Sequence, residues 1–349
     1  MKRIVVCSDG TWNRPGIKDG DKNVESNVQL LYKCIAKNGL DGTKQSKAYD
    51  SGVGSSTYSL RDKILGGIAG AGIDKNIRDL YTFILMNYEK GDEIYLFGFS
   101  RGAYTARSLA GLIRNCGILK KENLYLVDRA YELYRDRNDY TYPDSDLMVS
   151  FKNDYCVELL TRIKFLGVWD TVGSLGIPLP WYRIYNREKY KFHDVKLSSS
   201  IDFAYHALAV DERRKLFEPT LWEISDKAEN GKVKGQTMEQ RWFAGVHCNI
   251  GGGYKDKKLS DLALKWLMEK AIDVGLVFDK NSKEYENIQG NYAGKLRNSR
   301  TPMYWFWLPV WRKIKAKKNT NEVIDDSVYQ RLADKKLNYK PRNIEKAEK

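Results

Sequence analysis

The chain has 349 residues, 42% hydrophobic and 30% charged, which is ample for a sizeable core in one large or two ordinary domains. Its net charge of +14 suits an anionic partner (nucleic acid, an anionic lipid surface or a phosphate-bearing substrate) or serves solubility alone, and charge does not choose among these. Five cysteines, an odd number without C-x-x-C spacing, argue against a disulfide framework or zinc ribbon and fit a reducing cytoplasm.

The N-terminal RIVVCSD carries an apolar run too short for a signal peptide and reads as a strand buried on both faces. No stretch approaches the ~18 uninterrupted apolar residues of a membrane span, so the expectation is a cytoplasmic protein, at most peripheral to a membrane. SNVQLLYKCIAK has helical spacing at Val28, Leu31 and Ile35, with Asn27 as a cap. SKAYDSGVGS reads as a short strand ending in a glycine-rich turn. A second glycine-rich stretch, GGIAGAGI, leads into a helix capped by Asp74, with Ile77, Leu80, Tyr81, Ile84 and Leu85 on one face. EIYLFGF is the next strand and 103–116 the next helix. RIKFLGVWD and QRWFAGVH are further strands, each ending in an ionisable residue, and LSDLALKWLMEKAIDVG is a helix.

This alternation predicts an α/β fold with a mainly parallel sheet and helices on both faces. No solenoid repeat and no clean linker interrupt it. Residues 177–195, rich in proline, aromatics and charge, read as a cap insertion in a catalytic domain of residues 1–300. Residues 301–349 read as a basic, aromatic segment packed on the same domain.

The stretch GFSRG places Ser100 between two glycines at a strand-to-helix turn. A nucleophilic serine needs such a sharp turn, and small flanking residues let neighbouring backbone pass close. The next helix then aims the Arg101 N–H at a developing oxyanion. The competing reading is a structural turn that happens to contain serine. A base must come from His193, His206 or His247. His193 reads as surface and His206 as a core residue. His247 follows a late strand and precedes a glycine-rich loop at the carboxyl edge of the sheet. Asp170, at another strand end, is the carboxylate best placed to orient it, with Asp202, Asp256 and Asp261 as alternatives. The order Ser100, Asp170, His247 is that of α/β-hydrolases. A second oxyanion donor is expected from Gly10 or Thr11 in SDGTWN, where Asp9 either shapes the turn or binds a cation.

Six stretches in this order, KRIVVCSDGTWN, YDSGVGS, FGFSRGAYTARSLAGLI, FLGVWDTVGSLGIP, AYHALAVDERRKLFEPTLW and RWFAGVHCNIGGGY, resemble the DUF2235 family. That family contains the catalytic domain of type VI secretion phospholipase effectors of the Tle1 class. The resemblance runs from residue 2 to about 275. It implies an α/β-hydrolase core, a bacterial source and hydrolysis of phospholipid acyl esters by Ser100, Asp170 and His247, without cofactor or metal. The role of the AYHALAVDERR segment, with His206 and Arg213, stays open.

The expected partners are a phospholipid or other acyl-ester substrate and an anionic membrane. Nucleic acid is disfavoured, since only the stretch around 304–318 interleaves aromatic and basic residues. The alternative function is a non-catalytic or ligand-gated signalling module on a hydrolase fold.

Overall fold

Seven parallel strands form the main sheet of the computed structural model, which describes residues 1–10, 16, 18–52, 68–136, 138–172, 196–224, 235–300, 308–315 and 318–347. The strands are β1 (Arg3–Ser8), β2 (Gln45–Asp50), β3 (Glu93–Phe99), β4 (Ile163–Trp169), β5 (Ile201–Ala209), β6 (Thr237–Phe243) and β7 (Glu322–Ile324). Their spatial order is β2-β1-β3-β4-β5-β6-β7. All neighbours run parallel. The chain therefore builds outward in one direction from β1 and in the other from β3. In such a sheet the crevice at the carboxyl ends of the strands flanking this switch is where sites form. The register aligns Ser8 with Gly98 and Phe99 with Trp169, so the turns after β1, β3 and β4 open at one edge.

The continuous apolar runs of the strands follow from burial on both faces. Ile4 and Val6 of β1 face one core with Ile77, Leu80 and Ile84 of α2 (Ile68–Asn87) and Leu109 and Leu112 of α3 (Arg101–Cys116). Val5 and Cys7, one residue out of phase, face the other core. There they meet Val28 and Leu31 of α1 (Asn27–Cys34), and the same core contains Phe97, Phe165 and Leu267. Truncating a ring such as Phe97, fully buried in this layer, to alanine costs roughly 3–5 kcal/mol. A third cluster joins Leu208 of β5 and Trp242 of β6 to Ile314, Ile324, Val328 and Ile344. The C-terminal segment thus packs on the sheet and extends it through β7.

Three local expectations change. Helix α1 is capped by Ser26, whose Oγ accepts from Gln29 N–H at 3.0 Å, and not by Asn27. Asn27 instead donates to the Ile250 and Ser260 carbonyls, which ties α1 to the far side of the chain. Asp74 does not cap α2: the helix already starts at Ile68, so Asp74 lies inside it, where it accepts from Tyr131 Oη at 2.7 Å. Strand β6 ends at Phe243, and His247 opens a short helix, α4 (His247–Gly251), which leads into α5 (Lys258–Ile272). The segment 177–195 with His193, and Thr11, lie outside the described residues.

Candidate active site

Ser100 follows β3 with φ 57° and ψ −118°, a combination that L residues adopt only at a cost. The surrounding backbone enforces it. Its N–H donates to the Trp169 carbonyl at 3.0 Å, next door to Asp170. A Cβ on Gly98 would overlap the Gly102 carbonyl, and one on Gly102 would overlap the Ser8 carbonyl. Both glycines are therefore required by close backbone approach. Helix α3 starts at Arg101, so its first N–H groups lack intrahelical acceptors and gather at the serine.

Asp170 also has a left-handed backbone, at φ 40°. It is fully buried, and its carboxylate is saturated. Oδ1 accepts from Ala209 N–H at 3.1 Å and from Arg312 at 2.5 Å, and Oδ2 accepts from the other Arg312 nitrogen at 3.0 Å. Oδ2 also lies 2.5 Å from His247 Nδ1. Burial alone would raise this carboxyl group's pKa. The Arg312 and His247 charges and bonds outweigh burial and hold it well below the usual carboxylate range.

His247 is 4% exposed. Its ring lies between Phe99, with centroids 4.6 Å apart, and Phe217, edge-on at 5.0 Å. Burial pushes its pKa below the usual value although Asp170 pulls the other way, so at neutral pH the imidazole is neutral. With Nδ1–H donating to Asp170, Nε2 is the basic nitrogen. The neighbouring Cys248 is no rival nucleophile, because burial pushes its thiol up to about 11.

The segment AYHALAVDERR now has a structural account. His206 lies on β5, fully buried, with Nε2 accepting from Thr171 N–H at 3.0 Å and Nδ1 against Gln240 Oε1 at 3.1 Å. Burial and the nearby Arg107 charge hold its pKa near about 3, so it is a neutral core residue. Asp211 accepts from Gly245 N–H at 2.7 Å and Glu212 from His247 N–H at 3.2 Å. These two carboxylates fix the backbone that carries the histidine. Glu212 is itself held by Arg214 at 2.9 Å and Ser299 at 2.8 Å. Burial opposes its ionisation, but Arg214 prevails and keeps its pKa at about 2. Arg213 works through its backbone and guanidinium: its N–H donates to Glu212, and its guanidinium lies over the Trp311 ring at 5.8 Å.

The other sequence candidates lie elsewhere. Asp202 pairs with Arg162 at 2.7 Å, Asp256 accepts from Lys258 N–H, and Asp261 from Gln289 N–H. Asp9 shapes its turn. It accepts from Gly10 N–H at 2.7 Å, from Tyr49 Oη at 2.8 Å and from Ser26 Oγ. The Gly10 N–H is thus engaged by a carboxylate, and serving an oxyanion would require that bond to be shared or released. Among the described residues no cluster of His, Cys, Asp and Glu could hold a metal ion. Nor is any helix there long and apolar enough to cross a membrane. Arg312 had no signature in the sequence, because it lies 142 residues beyond Asp170 in an irregular stretch.

The family described as "T6SS, Phospholipase effector Tle1-like, catalytic domain" matches residues 2–270. An uncharacterized protein of Saccharomyces cerevisiae is 30% identical over 234 residues, 62% of this chain and 32% of that protein. A eukaryotic relative is at odds with reading a bacterial source from the resemblance. Among solved structures, an uncharacterized protein from Pseudomonas aeruginosa aligns over 83% of this chain and 49% of its own at 17% identity, with a TM-score of 0.52. The Tle1 effector bound to the VgrG spike from the type 6 secretion system aligns over 73% of this chain and 51% of its own, at 19% identity and a TM-score of 0.41. The chain thus spans about a third of the curated relative's length and half of the solved chains. The extent of the family match is decisive: the chain belongs to the Tle1-like catalytic-domain family.

Proposed function

We propose, with that membership as premise, that the protein is a serine esterase that hydrolyses acyl esters of membrane phospholipids. Ser100 Oγ attacks the ester carbonyl while His247 Nε2 takes its proton, and Asp170 holds the opposite Nδ1–H. The C–O bond to the alcohol then breaks, and the imidazolium returns the proton to the departing oxygen. Water, deprotonated by the same nitrogen, releases the fatty acid and restores the serine. The Arg101 N–H and a second donor from Gly10 or Thr11 receive the oxyanion, each worth about 3 kcal/mol in the transition state.

One conjunction carries the reading: a carboxylate-bound neutral histidine stacks on Phe99, and the strained Ser100 directly follows that ring. Fluorophosphonate labelling and fatty-acid release from phospholipid vesicles test it. Both should be present in the wild type and absent from Ser100→Ala. A wild type that neither labels nor hydrolyses any acyl ester would leave the non-catalytic module as the better account.

The membrane contact has a candidate surface. Leu308 and Val310 are 87% and 40% exposed, beside Trp311, whose ring lies 5.2 Å from the Arg342 guanidinium. Indole and basic side chains suit the interfacial zone and anionic headgroups. Binding to vesicles containing anionic lipid should be measurable at low salt and weaken steeply as salt rises. Absence of binding at low salt removes this part of the proposal.

A further inference from the structure

Arg312 is the basic residue in direct contact with the candidate catalytic acid, and it arrives from the far end of the chain. It sits on an irregular segment, 308–315, in which burial alternates from Trp311 onward. Arg312 and Ile314 point inward, while Trp311, Lys313 and Lys315 point outward. The segment is pinned on both sides of Arg312. Val310 N–H donates to the Arg213 carbonyl at 3.0 Å, and Lys315 N–H to Glu322 in β7 at 2.9 Å. Arg312 is 6% exposed, and the bonds of its guanidinium converge on the surroundings of His247. Two nitrogens grip the two Asp170 oxygens at 2.5 and 3.0 Å. The same two nitrogens donate to the Ala209 carbonyl at 2.9 Å and to the Phe217 carbonyl at 2.5 Å. Phe217 is the residue whose ring meets His247 edge-on. Arg312 therefore holds two neighbours of the imidazole: the side chain of the acid and the backbone of Phe217.

We propose that Arg312 is the positioning residue of the site: it holds the Asp170 carboxylate in the rotamer that receives His247 Nδ1–H and supplies the balancing positive charge beside that pair. This rests on the serine-esterase reading above. The two-pronged geometry is specific to a guanidinium, since an ammonium cannot meet both oxygens in one plane. The charge argument follows from counting. With Arg312 present, Asp170 and a neutral imidazole carry no net charge among them, and a proton on the pair creates a buried positive charge. Without Arg312 the pair starts negative, and the first proton binds more readily whichever residue accepts it. The other charges facing the pair are Glu212, at the His247 N–H, and Arg214, over the Phe217 ring. His206, bonded to Thr171 N–H on the adjacent strand, is held neutral.

The test combines a titration with kinetics. The chain has three histidines, so their imidazole signals can be assigned by single substitutions and followed by NMR. In Arg312→Gln the His247 titration and the acid limb of kcat/KM should both move up by about one pH unit. The rate on the alkaline plateau should fall by about 100-fold through lost positioning. Arg312→Lys should keep the wild-type titration and recover part of the rate. In an Asp170→Asn background, Arg312→Gln should cost only a few-fold more, because its target is already disabled.

An unmoved His247 titration in folded Arg312→Gln overturns the proposal. So does a rate loss as large in the Asp170→Asn background as in the wild type, since that marks a purely structural residue. Should Arg312→Gln fail to fold, Arg312→Lys decides, and a lysine variant with full wild-type rate overturns the positioning role. If the wild type hydrolyses no ester while Arg312→Gln still shifts His247, the esterase reading falls and the coupling stands.

Discussion

Among the described residues two histidines are buried, His206 on β5 and His247 at the start of α4, and their surroundings separate a core imidazole from the proposed base. Around His206 every ring nitrogen is engaged, by Thr171 N–H and by the Gln240 amide, and both partners are neutral. Gln240 is itself locked to the Trp222 and Thr320 carbonyls. Around His247 one nitrogen faces a carboxylate, and Nε2 has no hydrogen-bond partner among the described residues. The first arrangement stabilises one protonation state. The second leaves a basic nitrogen, with a carboxylate in place to balance the cation that the proposed proton transfer would form on it.

Exchanging the two residues' fates is the sharpest way to break this contrast. His247→Ala should lower kcat by about 10⁵- to 10⁶-fold with modest change in stability, as removal of a general base does in an intact triad. His206→Gln should leave kcat within a few-fold while lowering stability. If folded His206→Gln loses activity as severely as His247→Ala, the division between core and base is wrong. Asp170→Asn comes next. It removes the charge beside Nδ1 and leaves Arg312 unpaired, for an expected loss of about 10⁴-fold in kcat. A smaller effect is expected one bond further out. Glu212→Gln removes a buried carboxylate that pairs with half-buried Arg214 and weakens the hold on the His247 backbone, costing roughly 3 kcal/mol in unfolding free energy. Urea midpoints and steady-state kinetics on the same preparations check these four variants.

Most of this geometry was legible where chemistry sits at strand ends. GFSRG, the aspartate after FLGVW and the histidine after RWFAGV each follow an apolar run, and the sheet brings those ends to one edge. The strands themselves were readable because two-sided burial leaves continuous apolar runs. What stayed hidden depends on contacts between distant segments. Nothing local marks Arg312 among so many basic residues, and β7 has only three residues, too few to show a period. The role of VDERR stayed open in the sequence; Asp211 and Glu212 are buried, where they accept from the backbone N–H groups of Gly245 and His247. Asp74 after a glycine-rich stretch read as a helix cap, but the apolar face of α2, with Ile73 and Ile77 packed in the core, carries the helix upstream of it.

The contrast between the histidines also predicts how stability responds to acid. His206 titrates at about 3 in the folded protein, against about 6.5 in an unfolded chain. Its folded value is depressed, so between these values the unfolded state binds a proton that the native state refuses. The stabilisation is therefore complete above pH ~6.5 and falls by about 1.4 kcal/mol for each pH unit below it. Asp211 acts in the opposite sense. Burial raises its folded value to about 6, so the native state takes up a proton first and gains stability as pH falls from there toward the unfolded carboxyl value. These opposing groups make the total curve uninformative, but the difference between wild type and His206→Gln isolates one imidazole. Urea unfolding at pH 7.5, 6.5 and 5.5 should show the deficit of His206→Gln shrinking by roughly 1 kcal/mol or more toward the acid end, as the wild type loses what the variant never had. A deficit constant across this range would mean that His206 is not held neutral by its burial, and the distinction between the two histidines would lose its electrostatic basis.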